Sequence, residues 1–557
     1  MHIYNNLIPL ESLIQKDGKG DAVTSSILEG HIQRAFTQTD RRQPHLSRVI
    51  AEQLEVFIKS MKSRLWVNVE SPYVDKVYRD SYYHYYASKL GSYSKDCIRL
   101  SFFDVTVSEA DFYNPTPEIR EYLQNHYLGF LVIRPTPQNP IGRNVLSPRA
   151  FDIQAVEVCQ TAFPTTVNGI KLVAVGFPHS AQDVETVTCS QTTLWAVTEY
   201  FSHRYAEYRP ILPSTIVEQL KEWLVERNLP APGLSVEQLS YALKQVGFAP
   251  RIYHRDEYDK KPTDDMTAEQ RTKLQNDFER LLSCYVESGI PVIVAVSDQA
   301  NNGHATVCIG HQQDKSSTLN KLKLDKAAHF EELEGEKMTV RFFDLDQAPR
   351  NFVFIDDNHP PYKSAQLTTP TRYYAKPKAP KSGRAGFDGQ TGEITAFVVP
   401  LYRKVYLDAY EAKLYVRRLL VSNLLKLKAN AEMCLRLFLT SSRSYKDVVV
   451  SDELLPADIR QFIIRTSLPK LIWVAELTNA KLASHNQVFG VILLDATEAD
   501  TDDHNALVMA VMPEIIINFA APNKEDQFTP VGEGLGPFSQ YTNNLNQDSR
   551  FYVKPIQ

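Results

Sequence analysis

The feature that most constrains the fold is a pair of apolar runs in the segment GIPVIVAVSDQANNGHATVCIGH, residues 289–311. Pro291 to Val296 predict a buried strand, a Gly-containing turn follows, and a second strand is predicted to begin at His304. A histidine that follows a glycine at the first residue of a strand lies at the rim of a sheet. The imidazole of His304 is therefore expected to face a neighbouring helix N-terminus.

A cysteine precedes one of the helical patterns of the chain. The segment TVTCSQTTLWAVTEYF places Cys189 just before an apolar stripe at helical spacing, formed by Leu194, Val197, Tyr200 and Phe201. We therefore predict Cys189 in the first turn of a helix, where unpaired backbone N–H groups and the helix dipole stabilise a thiolate. The thiolate form of a nucleophilic cysteine is stabilised most at this position.

A third segment, RNFVFIDDNHPPY, supplies carboxylates. Asp356 and Asp357 end a short apolar strand, where a carboxylate can accept the second N–H of an imidazole and hold the ring in orientation. Asp344 is an alternative partner, because a long polar segment separates the histidine strand from the aspartate strand. Asp356 is preferred because the apolar run FVFI ends on it. The residues so predicted form a Cys-His-Asp triad.

The order of these motifs resembles that of the papain-like cysteine peptidases: a cysteine on a helix, Gly303 and His304 opening a strand, and an aspartate ending the next strand. The similarity is closest to the bacterial branch that includes the peptidases removing double-glycine leader peptides. The insert LSVEQLSYALKQVGFAPRIY is also similar to that branch, because Ser235 and Gln238 form a capping box and Gly247 ends the predicted helix.

The resemblance implies an α+β fold with a papain-like core, in which an N-terminal helical lobe carries the cysteine and an antiparallel sheet carries the histidine and the aspartate. It also implies an oxyanion hole formed by the backbone N–H of Cys189 and a glutamine side chain. Gln182 is the candidate. It precedes Cys189 by seven residues, whereas the usual spacing is six, so this chain needs one extra residue of loop.

The length of the chain predicts several domains, because a single hydrophobic core stops growing well below 557 residues. We expect an N-terminal mixed α/β region over 1–150, the peptidase domain over 175–375 and a Pro-, Gly- and Lys-rich linker over 376–392. A C-terminal mixed α/β region is expected over 393–557, with Val448 to Val450 among its strand candidates. Neither flanking region shows a motif that identifies its role.

Charge and composition exclude several classes of protein. A net charge of -5 argues against nucleic-acid and membrane partners, and the strings GxxxxGK[ST], GxGxxG, HExxH and GxSxG do not occur. The sequence shows no leader peptide or apolar span, which predicts a soluble cytoplasmic protein.

Metal and cofactor sites are not expected. The six cysteines have no CxxC spacing, so a structural zinc site and a disulfide framework are both unexpected. His311 and His359 near the aspartate pair could be imagined as metal ligands, but residues at the ends of short strands are more often solvated.

The leading hypothesis is an intracellular cysteine peptidase that cleaves a protein or peptide through an acyl-enzyme, with flanking regions that regulate it and that a protein partner could engage. The first alternative is a transglutaminase-like transferase that passes the acyl group to an amine or thiol. The second alternative is a scaffold that keeps the fold without catalysis. The sequence does not separate hydrolysis from transfer, because the acceptor pocket decides between them.

Overall fold

The computed structural model shows a mixed α/β protein built on antiparallel sheets. The structure describes residues 6–15, 26–36, 46–89, 93–136, 138–182, 188–220, 233–258, 277–312, 328–333, 336–375, 387–425, 427, 432–500, 504–519, 527–531 and 534–547.

The first part of the chain combines strands and helices. Its strands are β1 (Asn6–Pro9), β2 (Trp66–Tyr73), β3 (Cys97–Phe103), β4 (Tyr127–Ile133), β5 (Ile141–Leu146), β6 (Val156–Val158), β7 (Thr161–Val167) and β8 (Ile170–His179). Its helices are α1 (Leu10–Ile14), α2 (Ile27–Phe36), α3 (Leu46–Lys59), α4 (Lys76–His84) and α5 (Pro117–His126).

The middle of the chain begins with a long helix and continues through strands that carry the candidate site. Its helices are α6 (Cys189–Arg204), α7 (Pro213–Gln219), α8 (Val236–Gln245), α9 (Arg255–Tyr258) and α10 (Asp277–Glu287). Its strands are β9 (Arg251–His254), β10 (Val292–Ser297), β11 (Gly303–Gln312), β12 (Ala328–Leu333), β13 (Glu336–Asp344), β14 (Phe352–Ile355) and β15 (Lys363–Ala365).

The last part of the chain again contains both strands and helices. Its strands are β16 (Glu393–Val399), β17 (Glu432–Ser441), β18 (Leu471–Thr478), β19 (Gln487–Val488), β20 (Gly490–Asp495), β21 (Leu507–Val511), β22 (Ile515–Asn518), β23 (Phe528–Pro530), β24 (Phe538–Ser539) and β25 (Asn546–Gln547). Its helices are α11 (Ala409–Val421), α12 (Ser442–Ser451), α13 (Ala457–Arg465) and α14 (Ala480–Ala483).

The strands form three large sheets. The N-terminal sheet has the order β1-β2-β3-β4-β5-β8-β7, and the central sheet has the order β15-β14-β11-β10-β16-β9, with β6 pairing both β11 and β25. The C-terminal sheet has the order β12-β13-β17-β18-β20-β21-β22-β23. Within the described strands, β13 and β17 pair in parallel and the other pairs of these sheets are antiparallel.

Sheet membership does not follow chain order. Strand β8, which ends at His179, belongs to the N-terminal sheet, and β16, which follows the predicted linker, lies in the central sheet between β10 and β9. Strands β12 and β13 lie between His304 and Asp356 in sequence but join the C-terminal sheet. Within the predicted linker, 376–386 lie outside the described residues. The central sheet is thus assembled from segments that span most of the chain.

One hydrophobic core connects the three sheets. It runs from Leu10 through Tyr253 and Val294 to Leu545, and all four side chains are buried. A second cluster packs α12 and α13 on the C-terminal sheet, and a third packs α4 and α5 on the N-terminal sheet. Each outer sheet therefore packs one face against the common core, and its other face is covered by helices from its own part of the chain.

Local sequence signals explain several helix ends. Ser235 caps α8, where Gln238 N–H donates to Ser235 Oγ at 3.3 Å and Ser235 N–H donates to Gln238 Oε1 at 2.9 Å, as the capping box predicts. The predicted strand at Val448 to Val450 is wrong. Ser441 caps α12 there, and Tyr445 and Val449, four residues apart, are its buried face.

A buried ionic cluster joins the central and C-terminal sheets. Glu287 ends α10 and lies 2.6 Å from Arg350 Nη1, 3.1 Å from Arg436 Nη2 and 3.1 Å from His311 Nε2. Burial opposes ionisation of this carboxyl, but the two guanidinium groups and His311 hold the pKa of Glu287 well below its ordinary value. Arg436 also bonds Glu476 of β18 at 3.0 Å, so the cluster ties both sheets to α10.

Candidate active site

Cys189 occupies the position that the sequence predicts, as the first residue of α6. Thr188 is the N-cap, and its N–H donates to Gln191 Oε1 at 3.0 Å. The side chain of Cys189 is half-buried, whereas the other cysteines of the chain, all free, are buried. The helix start thus presents an accessible sulfur beside unpaired backbone N–H groups.

Helix α6 packs on β11, which brings His304 to the cysteine. Thr193, one helical turn after Cys189, donates a hydrogen bond from Oγ1 to the carbonyl oxygen of Ala305 at 3.3 Å. Ala305 is the neighbour of His304, and Cys189 is among the groups that raise the pKa of His304, which puts its side chain close to the imidazole. Nε2 of His304 contacts Asp356 and Tyr374.

Asp356 lies against Nε2 of His304. Strands β11 and β14 pair in antiparallel register, with Val307 opposite Ile355, so the residue after β14 reaches the start of β11. Asp356 Oδ1 lies 3.1 Å from His304 Nε2, and the exposed fractions are 0% for Asp356 and 6% for His304. The described residues thus include a hydrogen-bonded His304–Asp356 pair, with the helix start that carries Cys189 packed on the strand of His304.

Two adjacent tyrosines complete the surroundings of Asp356. Tyr373 donates from Oη to Asp356 Oδ2 at 2.8 Å, and Tyr374 donates to the same oxygen at 3.0 Å. Tyr374 Oη also lies 3.0 Å from His304 Nε2, where it accepts the imidazole N–H. The N–H of Asn358 donates to Asp356 Oδ1 at 2.9 Å. These donors satisfy a carboxylate that is buried from solvent.

The electrostatics of the pair favour a charged imidazole. Burial opposes the charge on His304, but the Asp356 carboxylate, which accepts a hydrogen bond from the ring, and the nearby Cys189 side chain raise the pKa of His304 well above 6.5. Burial likewise opposes ionisation of Asp356, and the cation of His304 outweighs it and lowers the pKa of Asp356. The surroundings of the ring therefore stabilise a proton on His304 beside the Asp356 carboxylate.

The second aspartate of the predicted pair lies in the same cluster but has different surroundings. Asp357 Oδ1 is 3.9 Å from His304 Nε2, and neither carboxyl oxygen of Asp357 accepts a hydrogen bond from any described residue. Burial and the neighbouring Asp356 carboxylate raise the pKa of Asp357 to about 7. Asp356 is thus the aspartate that orients His304, and Asp357 stands beside the pair.

Asp344, the alternative partner considered from sequence, does not contact His304. It ends β13 in the C-terminal sheet, where its Oδ2 lies 3.1 Å from Lys413 Nζ and 2.5 Å from Arg417 Nη2. Its carboxylate is therefore part of an ionic cluster on α11, and Asp356 takes the position beside the imidazole.

Gln182 reaches the site through Asn358. Gln182 Nε2 donates to Asn358 Oδ1 at 2.9 Å, and Asn358 Nδ2 donates to Tyr374 Oη at 3.3 Å. The side chain that the sequence assigns to an oxyanion hole thus lies on the aspartate side of the cluster. The residues between Gln182 and Thr188 lie outside the described part of the chain.

A histidine of the N-terminal sheet contacts the backbone of Asp356. His179, the last residue of β8, lies with Nε2 3.1 Å from the carbonyl oxygen of Asp356, and Asn144 of β5 donates from Nδ2 to His179 Nδ1 at 2.8 Å. The Asn144 amide fixes the tautomer, so His179 donates from Nε2 to the carbonyl. Burial lowers the pKa of His179 to about 4, which keeps it neutral in this role.

The metal-ligand candidates have other partners. His304, Asp356 and Asp357 each offer a ligand atom, and these atoms lie within 4.8 Å of one another. Nε2 of His304 is already engaged by Asp356 and Tyr374, so a metal would have to displace those contacts. His311 pairs with Glu287 at the far end of β11. His359 packs against Tyr374, with ring centroids 4.3 Å apart.

Four contacts of the site were not predicted from sequence. His179 lies at the end of a strand, and Tyr373 and Tyr374 stand in the polar string TPTRYYA. Phe387, whose ring centroid lies 5.3 Å from that of His304, belongs to the predicted linker. The sequence offered two signals: a histidine three residues before Gln182 and a tyrosine pair shortly after Asp356. Neither signal by itself shows which side chain it contacts.

Comparison with known proteins adds no assignment. No protein-family model matches the chain, and no curated protein matches it. Among the helices that the structure describes, none has the length and apolar character needed to cross a lipid bilayer. Any function proposed for this chain therefore depends on the geometry of the site.

Proposed function

We propose that this chain is a cysteine peptidase that cleaves a peptide bond through Cys189, His304 and Asp356. The observation that carries the proposal is a half-buried cysteine at a helix start, close to a histidine that is hydrogen-bonded to a buried carboxylate. Helix α6 and the central antiparallel sheet would then form a papain-like core. The sequence order of the three residues supports the same proposal.

The proposed reaction begins with transfer of the Cys189 proton to His304, which gives a thiolate and an imidazolium. The thiolate attacks the peptide carbonyl carbon, and the C–N bond breaks as His304 returns the proton to the leaving amine. A thioester remains on Cys189. Water then attacks the thioester with His304 as general base, which releases the carboxylic acid and restores the thiol.

Each neighbour of the imidazole supports one part of this cycle. Asp356 stabilises the imidazolium, and Tyr374 accepts from the same N–H while it donates to Asp356. The backbone N–H of Cys189 lies in the first turn of α6 and is available to an oxyanion. In the proposed mechanism Gln182 would be the second oxyanion donor, which requires it to exchange Asn358 for the substrate oxygen.

The test compares cleavage of an unfolded protein and a peptide library by the native chain, by Cys189→Ala and by Cys434→Ala. Cys434 is buried in β17, so its variant controls for loss of a thiol. We expect cleavage by the native chain and by Cys434→Ala, and none by Cys189→Ala. Equal cleavage by both variants would exclude Cys189 as nucleophile.

Added hydroxylamine separates hydrolysis from acyl transfer. A hydrolase with rapid deacylation shows little acceleration and yields mainly the free acid. If the native chain gives no free acid but forms a hydroxamate through Cys189, the acyl-enzyme chemistry stands and transfer to an amine replaces hydrolysis as its outcome.

A further inference from the structure

A cleft of about 570 Å³ lies at the far end of α6 from Cys189. Helix α6 has 16 residues, so its two ends are about 24 Å apart at 1.5 Å per residue. The cleft is therefore separate from the candidate active site. Its walls come from the segment after α6, the end of α8, the segment after β16 and the start of β18: Glu207 to Arg209, Ile211, Gln245 to Gly247, Tyr402 to Lys404, Lys470 and Leu471.

The charges that line the cleft are mostly positive. Four cations, Arg209, Arg403, Lys404 and Lys470, face a single carboxylate, Glu207. Glu207 pairs with Lys470 at 2.6 Å. Within the described part of the chain, the other three cations have no ion-pair partner. This concentration of positive charge contrasts with the net charge of -5 for the whole chain.

Aromatic rings form another part of the cleft wall. Tyr208 is stacked on Phe248, with ring centroids 4.2 Å apart and an angle of 9° between the planes. Tyr402 stands edge-on to Tyr205 at 5.6 Å. These contacts hold the two lining tyrosines, Tyr208 and Tyr402, in fixed orientations. Tyr208 is buried and Tyr402 is half-buried, so a planar apolar group entering the cleft would meet the part of these rings that stays exposed.

We propose that this cleft binds a small organic phosphate of the nucleoside polyphosphate class. Such a molecule carries adjacent negative charges at one end and a planar ring at the other, which is the combination that the cleft walls offer. The guanidinium groups of Arg209 and Arg403 can each bond two phosphate oxygens. A volume of about 570 Å³ lies within the range of small-molecule sites. The proposal does not depend on the peptidase assignment.

The test is calorimetric titration of the full chain with ATP, with pyrophosphate and with adenosine. We expect ATP to bind more tightly than either component, and its affinity to fall as salt screens the cations. Arg403→Gln removes one charge-assisted contact and should weaken ATP about tenfold or more. Arg120→Gln is the matched control, because Arg120 is an exposed arginine on α5.

Three results would overturn the proposal. The first is no heat of binding with ATP for a chain that is folded by circular dichroism. The second is pyrophosphate binding as tightly as ATP, which would show that the aromatic wall contributes nothing. The third is equal weakening by Arg403→Gln and Arg120→Gln, which would mean that diffuse charge and not the cleft attracts the ligand. None of these outcomes bears on Cys189, so the peptidase proposal is tested separately.

Discussion

Replacing Asp357 with asparagine should stabilise the protein at neutral and alkaline pH. The carboxyl is 4% exposed and neither of its oxygens accepts a hydrogen bond from a described residue, so its ionised form is poorly solvated. The pKa of Asp357 is about 7 in the folded chain, against an ordinary value of 3.8. Asp357→Asn keeps the size of the side chain and removes the charge.

The magnitude follows from proton linkage. As pH rises above 3.8 the unfolded chain loses the Asp357 proton while the folded chain keeps it until about pH 7, so folded stability falls over this window and is then constant. The difference between the two pKa values corresponds to about 4 kcal/mol. Between about pH 5 and pH 8, the stability advantage of Asp357→Asn should therefore grow by about 2 to 3 kcal/mol.

The assay is urea denaturation of the native chain and the variant across this pH range. Asp152→Asn serves as the control, because Asp152 is exposed and its variant should track the native chain at every pH. A stability difference between Asp357→Asn and the native chain that stays constant from pH 5 to pH 8 would refute the reasoning, since it would show that Asp357 ionises alike in both states.

Three other substitutions test neighbouring contacts. Tyr374→Phe removes a hydroxyl that accepts from His304, so the pKa of His304 should fall, the alkaline limb of the pH–rate profile should move to lower pH and turnover should drop about tenfold; an unchanged profile would contradict this role. His179→Ala removes the donor to the Asp356 carbonyl and should slow turnover, and His179→Gln should restore part of the rate because it keeps a donor; equal rates in the two variants would argue against positioning. Glu287→Gln should cost about 3 kcal/mol or more in urea denaturation, because it leaves buried guanidinium groups uncompensated; a native midpoint would be inconsistent with the ionic cluster.

Local patterns were sufficient for the elements that carry the three central residues. The apolar runs before and after Gly303 became β10 and β11, and the capping box at Ser235 became the start of α8. The run at Val448 to Val450 misled because β-branched residues favour strands, whereas the cap at Ser441 and burial of one face decide for a helix. At that position, tertiary packing outweighs the strand propensity of the valines.

The surroundings of the triad could not be predicted, because they come from contacts distant in sequence. Asp356 bonds His179 across 177 residues, and that histidine is held in turn by a strand of the N-terminal sheet. Tyr374 reaches His304 from a segment without apolar periodicity, and Phe387 was assigned to a linker. His304 was expected at a rim, but these side chains cover it and leave it 6% exposed. Periodicity identifies strands and helices, and it does not show which loop covers them.

The most direct test of the central claim is the reactivity of Cys189. The native chain is labelled with limiting iodoacetamide between about pH 5 and pH 9, the adduct is located by peptide mapping, and the experiment is repeated on His304→Ala. We predict that Cys189 labels faster than the other cysteines at the acidic end of this range and loses that advantage without His304. Labelling of Cys189 that is no faster, or that is unchanged in His304→Ala, would contradict a thiolate–imidazolium pair, and with it the proposed peptidase.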